Sequence, residues 1–317
     1  MSNRILITGG LGFIGYHLSS WLINNRPDDQ ITIIDNLSST RLNYDNLKNK
    51  TRIIIDDFIT CPFNETFDEI FHLASPVGAL GILKRNGYIA RDIISLTYSA
   101  VNLAIRSKAK LLFVSSSEIY GHDGRHNEDA PRIVPNKKGT RLEYALGKLV
   151  SEEIIHNLSL DYTFEYKICR PFNVIGEHQS KDIGFVVPTF FHHALRGTAV
   201  PVFMNGEQER SFCHVQDIVE GIMAIHEKGL PNTVYNIGHS DNKISIKELA
   251  QKIISITGSS SLLEYIDPIK SYGEKYCEAF DKIPGINKVI EHTGWKPKIS
   301  LDEALQGLYR FYSENTI

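Results

Sequence analysis

Gly9, Gly12 and Gly15 stand at intervals of three between a short apolar run and the first helical pattern of the chain, and this junction limits the possible folds more than any other segment. Glycine accepts positive φ and lets backbone or ligand approach where a side chain would intrude. The run Arg4–Thr8 ahead of it reads as a strand. Behind it Ile14, Leu18, Trp21 and Leu22 recur with the spacing of a helix lying on a sheet. A strand, a glycine turn and a helix open a βαβ unit, and the free N–H groups of the helix start form a site for a pyrophosphate. Asp35 ends the second apolar run about twenty residues later, where an acidic residue accepts hydrogen bonds from ribose hydroxyls and repels a 2′-phosphate. The expected cofactor is therefore NAD rather than NADP.

Short β-branched runs recur at Ile5–Ile7, Ile31–Ile34, Ile53–Ile55, Ile70–Leu73, Leu111–Val114 and Tyr166–Cys169. Helical patterns from about Ala90 to Arg106 and Leu142 to Leu158 lie between the later ones. This alternation, with right-handed crossovers, predicts an α/β fold with a doubly wound parallel (Rossmann) sheet. After Gly176 the regularity breaks into mixed short elements. The expected organisation is an NAD-binding domain over residues 1–175 and a smaller mixed α/β substrate lobe over 176–317, parts of which return to the first domain.

Composition narrows the function. A net charge of -3 offers no broad basic surface, so neither nucleic acid nor an anionic membrane is an expected partner. No apolar stretch approaches a membrane span, and the start of the chain lacks a signal-peptide core, so a cytoplasmic protein is expected. Cys61, Cys169, Cys213 and Cys277 are scattered without zinc or redox spacing, and His192-His193 has no matching ligands, so no metal is assigned.

Tyr144 and Lys148 are four apart in a helical pattern and share a face, as a proton-transfer pair requires. The spacing alone is common. It gains weight from the glycine turn and from Ser115-Ser116-Ser117-Glu118 at the end of an apolar run. A free tyrosine titrates near pH 10, and the Lys148 charge together with a nicotinamide ring is expected to lower that value. Asp57 ends the third run, where it could read an adenine amino group. His72-Leu73-Ala74-Ser75 ends the fourth with small residues that let a dinucleotide lie close, and His72 itself reads as a structural hydrogen-bonder.

These segments, with Glu118-Ile-Tyr-Gly121, Arg170-Pro-Phe-Asn-Val-Ile-Gly176, Asn205 through Asp217 and Gly294-Trp-Lys-Pro297, resemble the extended short-chain dehydrogenase/reductase family of nucleotide-sugar enzymes nearly end to end. The resemblance implies that NAD is held by Gly9, Gly12, Phe13, Ile14, Gly15, Asp35, Asn36, Asp57, Phe58, Leu73, Ala74, Ser75, Tyr144, Lys148 and Pro171. It implies that Tyr144 removes a sugar hydroxyl proton, that Lys148 also holds the nicotinamide ribose, and that Ser116 bonds the same sugar oxygen. Substrate contacts are implied for Ser116, Ser117, Glu118, Asn173 and Val187, and nucleobase packing for Val202 and Phe203. Arg210 would clamp the diphosphate with its planar fork, and Lys282 stands where many relatives carry a second phosphate-binding arginine. The implied substrate is a nucleotide-diphosphate sugar, UDP foremost. The implied assembly is a homodimer joined by a four-helix bundle.

The family includes UDP-glucose 4-epimerases, UDP-glucuronate decarboxylases and 4,6-dehydratases, which share a 4-keto intermediate. Dehydratases carry Thr-Asp-Glu where this chain has Ser116-Ser117-Glu118, so the aspartate acid is missing. Decarboxylases carry a Ser-Glu pair and a segment similar to His72–Pro76, but Val77–Leu83 departs from the proline-rich stretch that follows in them. Ile93 replaces a polar asparagine usual in relatives. The sequence ranks epimerisation first, decarboxylation next, and dehydration or simple C4 dehydrogenation behind. A silent NAD-binding scaffold comes last, because Ser116, Tyr144 and Lys148 are all retained.

Overall fold

A computed structural model describes residues 2–39, 43–136, 138–278 and 281–315. Seven parallel strands form the central sheet, in the spatial order Thr233–Ile237, Tyr166–Pro171, Lys110–Val114, Glu69–His72, Arg4–Thr8, Gln30–Asp35 and Arg52–Ile55. The order reverses at Arg4–Thr8, whose Thr8 pairs with Ile34 on one side and His72 on the other. This is a doubly wound, Rossmann-like sheet. The seventh strand comes from far along the chain and lies beside Tyr166–Pro171.

The strands are apolar on both sides because helices cover both faces. Ile5, Ile7, Ile31 and Ile33 pack on one face with Leu18 and Leu22 of helix Phe13–Asn25 and with Ile218 and Ile222 of helix Val215–Lys228. Leu6, Ile34, Ile70 and Phe113 pack on the other, against Ala100, Val101 and Ala104 of helix Ile89–Ser107 and Ile155 of helix Thr140–Asp161. These last two helices approach closely at Gly147, where a Cβ would lie 3.0 Å from the Cα of Ala90. Thr97 and Ser151 hydrogen-bond across the same seam at 2.8 Å. Ile93 packs there with Ile82, Ile89 and Tyr144, so an apolar contact supports the tyrosine.

A smaller lobe has its own core, which includes Phe190, Phe191, Val202, Leu249 and Leu305. Two of its helices begin with full capping boxes, Ser245 with Glu248 and Ser300 with Glu303. Its four-stranded mixed sheet joins Lys243–Ser245, Glu209–Ser211 and Lys282–Pro284 to Gly124–His126 from the first half of the chain. Among the described residues no helix is long and apolar enough to cross a membrane.

At the amino ends of the strands Glu69 accepts both terminal nitrogens of Arg26 at 2.8 Å and meets His226 at 2.9 Å. Burial alone would raise its pKa, but the bonds from His226 and Arg26 outweigh burial and hold the carboxyl at about 2, below its ordinary 4.5. A depressed carboxyl adds stability above its unfolded value that is lost as pH falls, here between about 4.5 and about 2. The full contribution is about 3 kcal/mol. Urea unfolding at stepped pH should therefore show a gap between the wild type and Glu69→Gln that is widest above pH 5 and closes toward pH 2.

Candidate active site

The glycine turn is built from backbone alone. Gly9 has φ +68°, donates to the Ile34 carbonyl at 2.8 Å, and leaves so little room that a Cβ would sit 2.7 Å from the Ala74 nitrogen. A Cβ on Gly15 would lie 2.1 Å from the Gly9 carbonyl oxygen. Gly12 precedes helix Phe13–Asn25 with no side chain capping it, so the helix start keeps its N–H groups for another acceptor. Asp35 braces the turn by accepting from Leu11 at 3.1 Å and Leu37 at 2.8 Å. Burial raises its pKa, and the backbone donors oppose that rise.

A cavity of about 1340 Å³ opens along the carboxyl ends of the strands. All the residues expected to hold the cofactor line it: Gly9, Gly12, Phe13, Ile14, Gly15, Asp35, Asn36, Asp57, Phe58, Leu73, Ala74, Ser75, Tyr144, Lys148 and Pro171. The uncapped helix start and the side-chain-free cradle fit a dinucleotide pyrophosphate. The volume exceeds the roughly 300–1,000 Å³ typical of one ligand, which leaves space for a second. His72 bonds Thr8 at 2.7 Å and stacks on Phe113, and burial drives its pKa down to about 3, so it is a neutral structural group.

Ser116, Tyr144 and Lys148 come together in the same wall. The Ser116 hydroxyl oxygen accepts the Glu118 N–H at 3.1 Å, and the same hydroxyl favours the ionised form of Tyr144. Because a Ser116 lone pair takes Glu118, its proton is free to point at the tyrosine oxygen. Lys148 is buried, donates to the Val114 carbonyl at 2.9 Å and lies 4.8 Å from the Phe113 ring centre. Burial lowers it to about 7. Burial raises Tyr144 to about 12, against the Ser116 hydroxyl. Lys148 is not among the groups that move the tyrosine here, and its ammonium form donates to Val114; the expected lowering joined Lys148 with the nicotinamide ring. A further positive charge beside Tyr144 would favour its phenolate.

Glu118 is the centre of a charged cluster. Lys282 lies 2.8 Å from it and Arg141 3.0 Å. Burial would raise its pKa, but the charges of Lys282 and Arg141 outweigh burial and hold it at about 2. Arg141, which the sequence reading missed, also donates to the Cys277 carbonyl at 3.0 Å and lines the cavity. Its signal was present, since it precedes Tyr144 by three residues and so shares its helix face. Lys282 is almost fully buried and lies behind Glu118 rather than in the wall.

Ser117, Asn173, Val187, Phe203 and Arg210 line the cavity, but Val202 does not. Neighbours on a strand face opposite ways, so Val202 fills the core of the smaller lobe while Phe203 turns outward. Phe203 meets Tyr272 and Tyr276 at centroid distances of 5.9 and 5.7 Å, an aromatic group suited to stacking a base. Arg210 donates to Glu278 at 2.8 Å and Asp281 at 3.1 Å, so carboxylates already engage the guanidinium expected to take a diphosphate.

A family model described as the NAD dependent epimerase/dehydratase family matches residues 5–238. The UDP-N-acetyl-alpha-D-glucosaminuronate decarboxylase of Bacillus cytotoxicus is 30% identical, over 99% of this chain and 99% of its own. The UDP-glucuronic acid decarboxylase 6 of Arabidopsis thaliana is 33% identical, over 95% of this chain and 86% of its own. The crystal structure of a UDP-glucose 4-epimerase from Thermotoga maritima with UDP-glucose matches with a TM-score of 0.84 at 26% identity, over 99% of this chain and 100% of that one.

The Gly15 contact is directly testable. Gly15→Ala must push the turn apart, and an overpacking cost of about 1–3 kcal/mol, if it falls on the cofactor site, weakens NAD binding roughly 5- to 150-fold. Calorimetric titration of NAD into the folded variant would measure it.

Proposed function

The chain belongs to the NAD-dependent epimerase/dehydratase family, and from that premise we propose that it decarboxylates a UDP-linked uronic acid through a 4-keto intermediate. It is an NAD-dependent enzyme of the nucleotide-sugar epimerase, decarboxylase and dehydratase type. The observation that carries the finer reading is Arg141, in the cavity wall one turn ahead of Tyr144 and paired to Glu118 at 3.0 Å. A neutral sugar needs no guanidinium beside it. A uronic acid brings a carboxylate, which arginine binds through charge-assisted hydrogen bonds. Glu118 shares that guanidinium, so the substrate carboxylate is recognised without being held so tightly that its loss is opposed. The pair supports a uronic acid substrate, which decarboxylation and C4 epimerisation share, and the decarboxylase relatives support placing decarboxylation ahead of the epimerisation that the sequence ranked first. Dehydration loses ground again, because a carboxylate held at about 2 is a poor base near neutral pH.

When bound, NAD supplies reversible oxidation of the sugar at C4. Tyr144 takes the C4 hydroxyl proton, and Ser116 holds the same oxygen. With C4 a ketone, the carboxylate on C5 is β to a carbonyl. The bond between C5 and the carboxyl carbon breaks, its electron pair moves toward the C4 oxygen, and carbon dioxide leaves. Ser116 and the protonated Tyr144 donate hydrogen bonds to the resulting enolate. A proton then adds at C5, and Tyr144 returns its proton to the C4 oxygen as that carbon is reduced. The balance is one carbon dioxide released and one proton taken up.

A second reading, C4 epimerisation, draws on the cavity of about 1340 Å³, which gives a keto sugar space to turn over. We further propose a homodimer through helices Ile89–Ser107 and Thr140–Asp161, whose Tyr98 and Val150 are exposed apolar side chains. Sedimentation as a monomer at micromolar concentration would count against it.

Incubation with UDP-glucuronate decides between the reactions. Carbon dioxide and a UDP-pentose are the expected products, C4 inversion with the carboxyl retained would favour epimerisation, and no product from any UDP-, GDP-, dTDP- or CDP-sugar would remove both readings. Arg141→Ala should lower kcat/KM for UDP-glucuronate roughly ten- to a hundredfold, the value of a charged hydrogen bond.

A further inference from the structure

Arg170 lies on the strand Tyr166–Pro171, immediately before Pro171 in the cavity wall, yet it touches no part of the cavity itself. Its guanidinium grips Glu152 with two parallel bonds, Nε to Oε1 at 3.0 Å and NH2 to Oε2 at 2.6 Å. Its remaining nitrogen NH1 donates to the Tyr120 hydroxyl at 2.9 Å, and that hydroxyl donates onward to Asn236 at 2.7 Å. Arg170, Glu152, Tyr120 and Asn236 are each at most 3% exposed.

The placement of these partners is specific. Glu152 follows Lys148 by one helical turn and Tyr144 by two, on the same face. Tyr120 ends the short turn Ser117–Tyr120 that Ser116 caps. One planar group therefore joins the helix that carries Tyr144 and Lys148, the turn that carries Ser116 and Glu118, and the strand that carries Pro171. A buried ion pair adds little to stability beyond what apolar side chains of the same volume would give. What it adds is geometry, because a bidentate guanidinium fixes both distance and orientation.

We infer that Arg170 is a positioning residue of the active site, whose three-way tie to Glu152, Tyr120 and its own strand holds the Tyr144 hydroxyl and the Ser116 hydroxyl in register for turnover. The inference rests on the reading of Tyr144 and Ser116 as the pair that handles the C4 proton. Misplacement of a reacting group by about 1 Å can cost a hundredfold in rate, so the tie acts through kcat rather than through binding.

The test compares Tyr120→Phe, Arg170→Lys, Arg170→Met and, as a control, Tyr144→Phe. Each is assayed with UDP-glucuronate for kcat and KM, for NAD content and for melting midpoint. Tyr120→Phe removes one hydroxyl and should keep NAD and KM within about twofold while kcat falls roughly tenfold or more. Arg170→Lys restores a charge opposite Glu152 but cannot span Glu152 and Tyr120 together. It should melt well above Arg170→Met, yet turn over as poorly. Wild-type kcat in Tyr120→Phe and Arg170→Lys, with Tyr144→Phe inactive, would overturn the inference alone. So would losses of kcat that vanish once rates are scaled to the folded, NAD-loaded fraction. Near-wild-type turnover in Tyr144→Phe would remove the underlying reading, and the inference with it.

Discussion

A contact between backbones, with no space for a side chain, sets the arrangement of everything else in this protein. The turn after the first strand is pressed against the end of the fourth at Ala74, bonded to the second at Ile34, and closed on itself at Gly15. Asp35 fastens the turn from the second strand. Three strand ends thus converge on one spot at the point where the sheet order reverses, and the crevice at such a point is where ligands of doubly wound sheets bind. Helix Phe13–Asn25 inherits its direction from this contact and aims its uncapped start along the crevice.

Two electrostatic regions then share one wall. Around Tyr144 and Lys148 burial is the dominant influence, and it favours the neutral form of both groups. Around Glu118 the cations prevail over burial and keep the carboxylate ionised. The boundary runs through Ser116, which favours the ionised form of Tyr144 on one side and accepts the Glu118 backbone N–H on the other. Under the proposed function, proton transfer belongs to the first region and recognition of a charged substrate group to the second. The division follows from low polarity in one place and matched ions a few ångströms away in the other.

Much of the fold and the cofactor end of the site was legible in the sequence, because both are written in local patterns. Glycines before a helix, an acid at a strand end and β-branched runs each report structure within a few residues, and Gly9, Gly15, Asp35 and the first six strands lie where those patterns put them. The seventh strand, Thr233–Ile237, was not singled out, since its partner lies more than sixty residues earlier. Val202 and Phe203 could not be told apart without the direction of their strand. Tyr272 and Tyr276 were missed because their significance comes from Phe203, distant in the chain, whereas Arg141 had a local signal in its spacing from Tyr144. Around Tyr144 the helix spacing gives proximity to Lys148, but neither the depth of burial nor the Val114 carbonyl to which Lys148 donates.

The exchange of strands between the two lobes has its own consequence. Gly124–His126 leaves the first half of the chain to pair with Lys282–Pro284, and Thr233–Ile237 leaves the second half to close the central sheet. Neither half of the chain contains all the strands of its own sheet, so cutting the backbone near residue 175 would yield fragments with open sheet edges rather than two working domains. Folding must bring residues far apart in sequence together before either sheet is complete, which makes assembly slow and loss of structure concerted. The two lobes are in this sense one folding unit, laced together by exchanged strands.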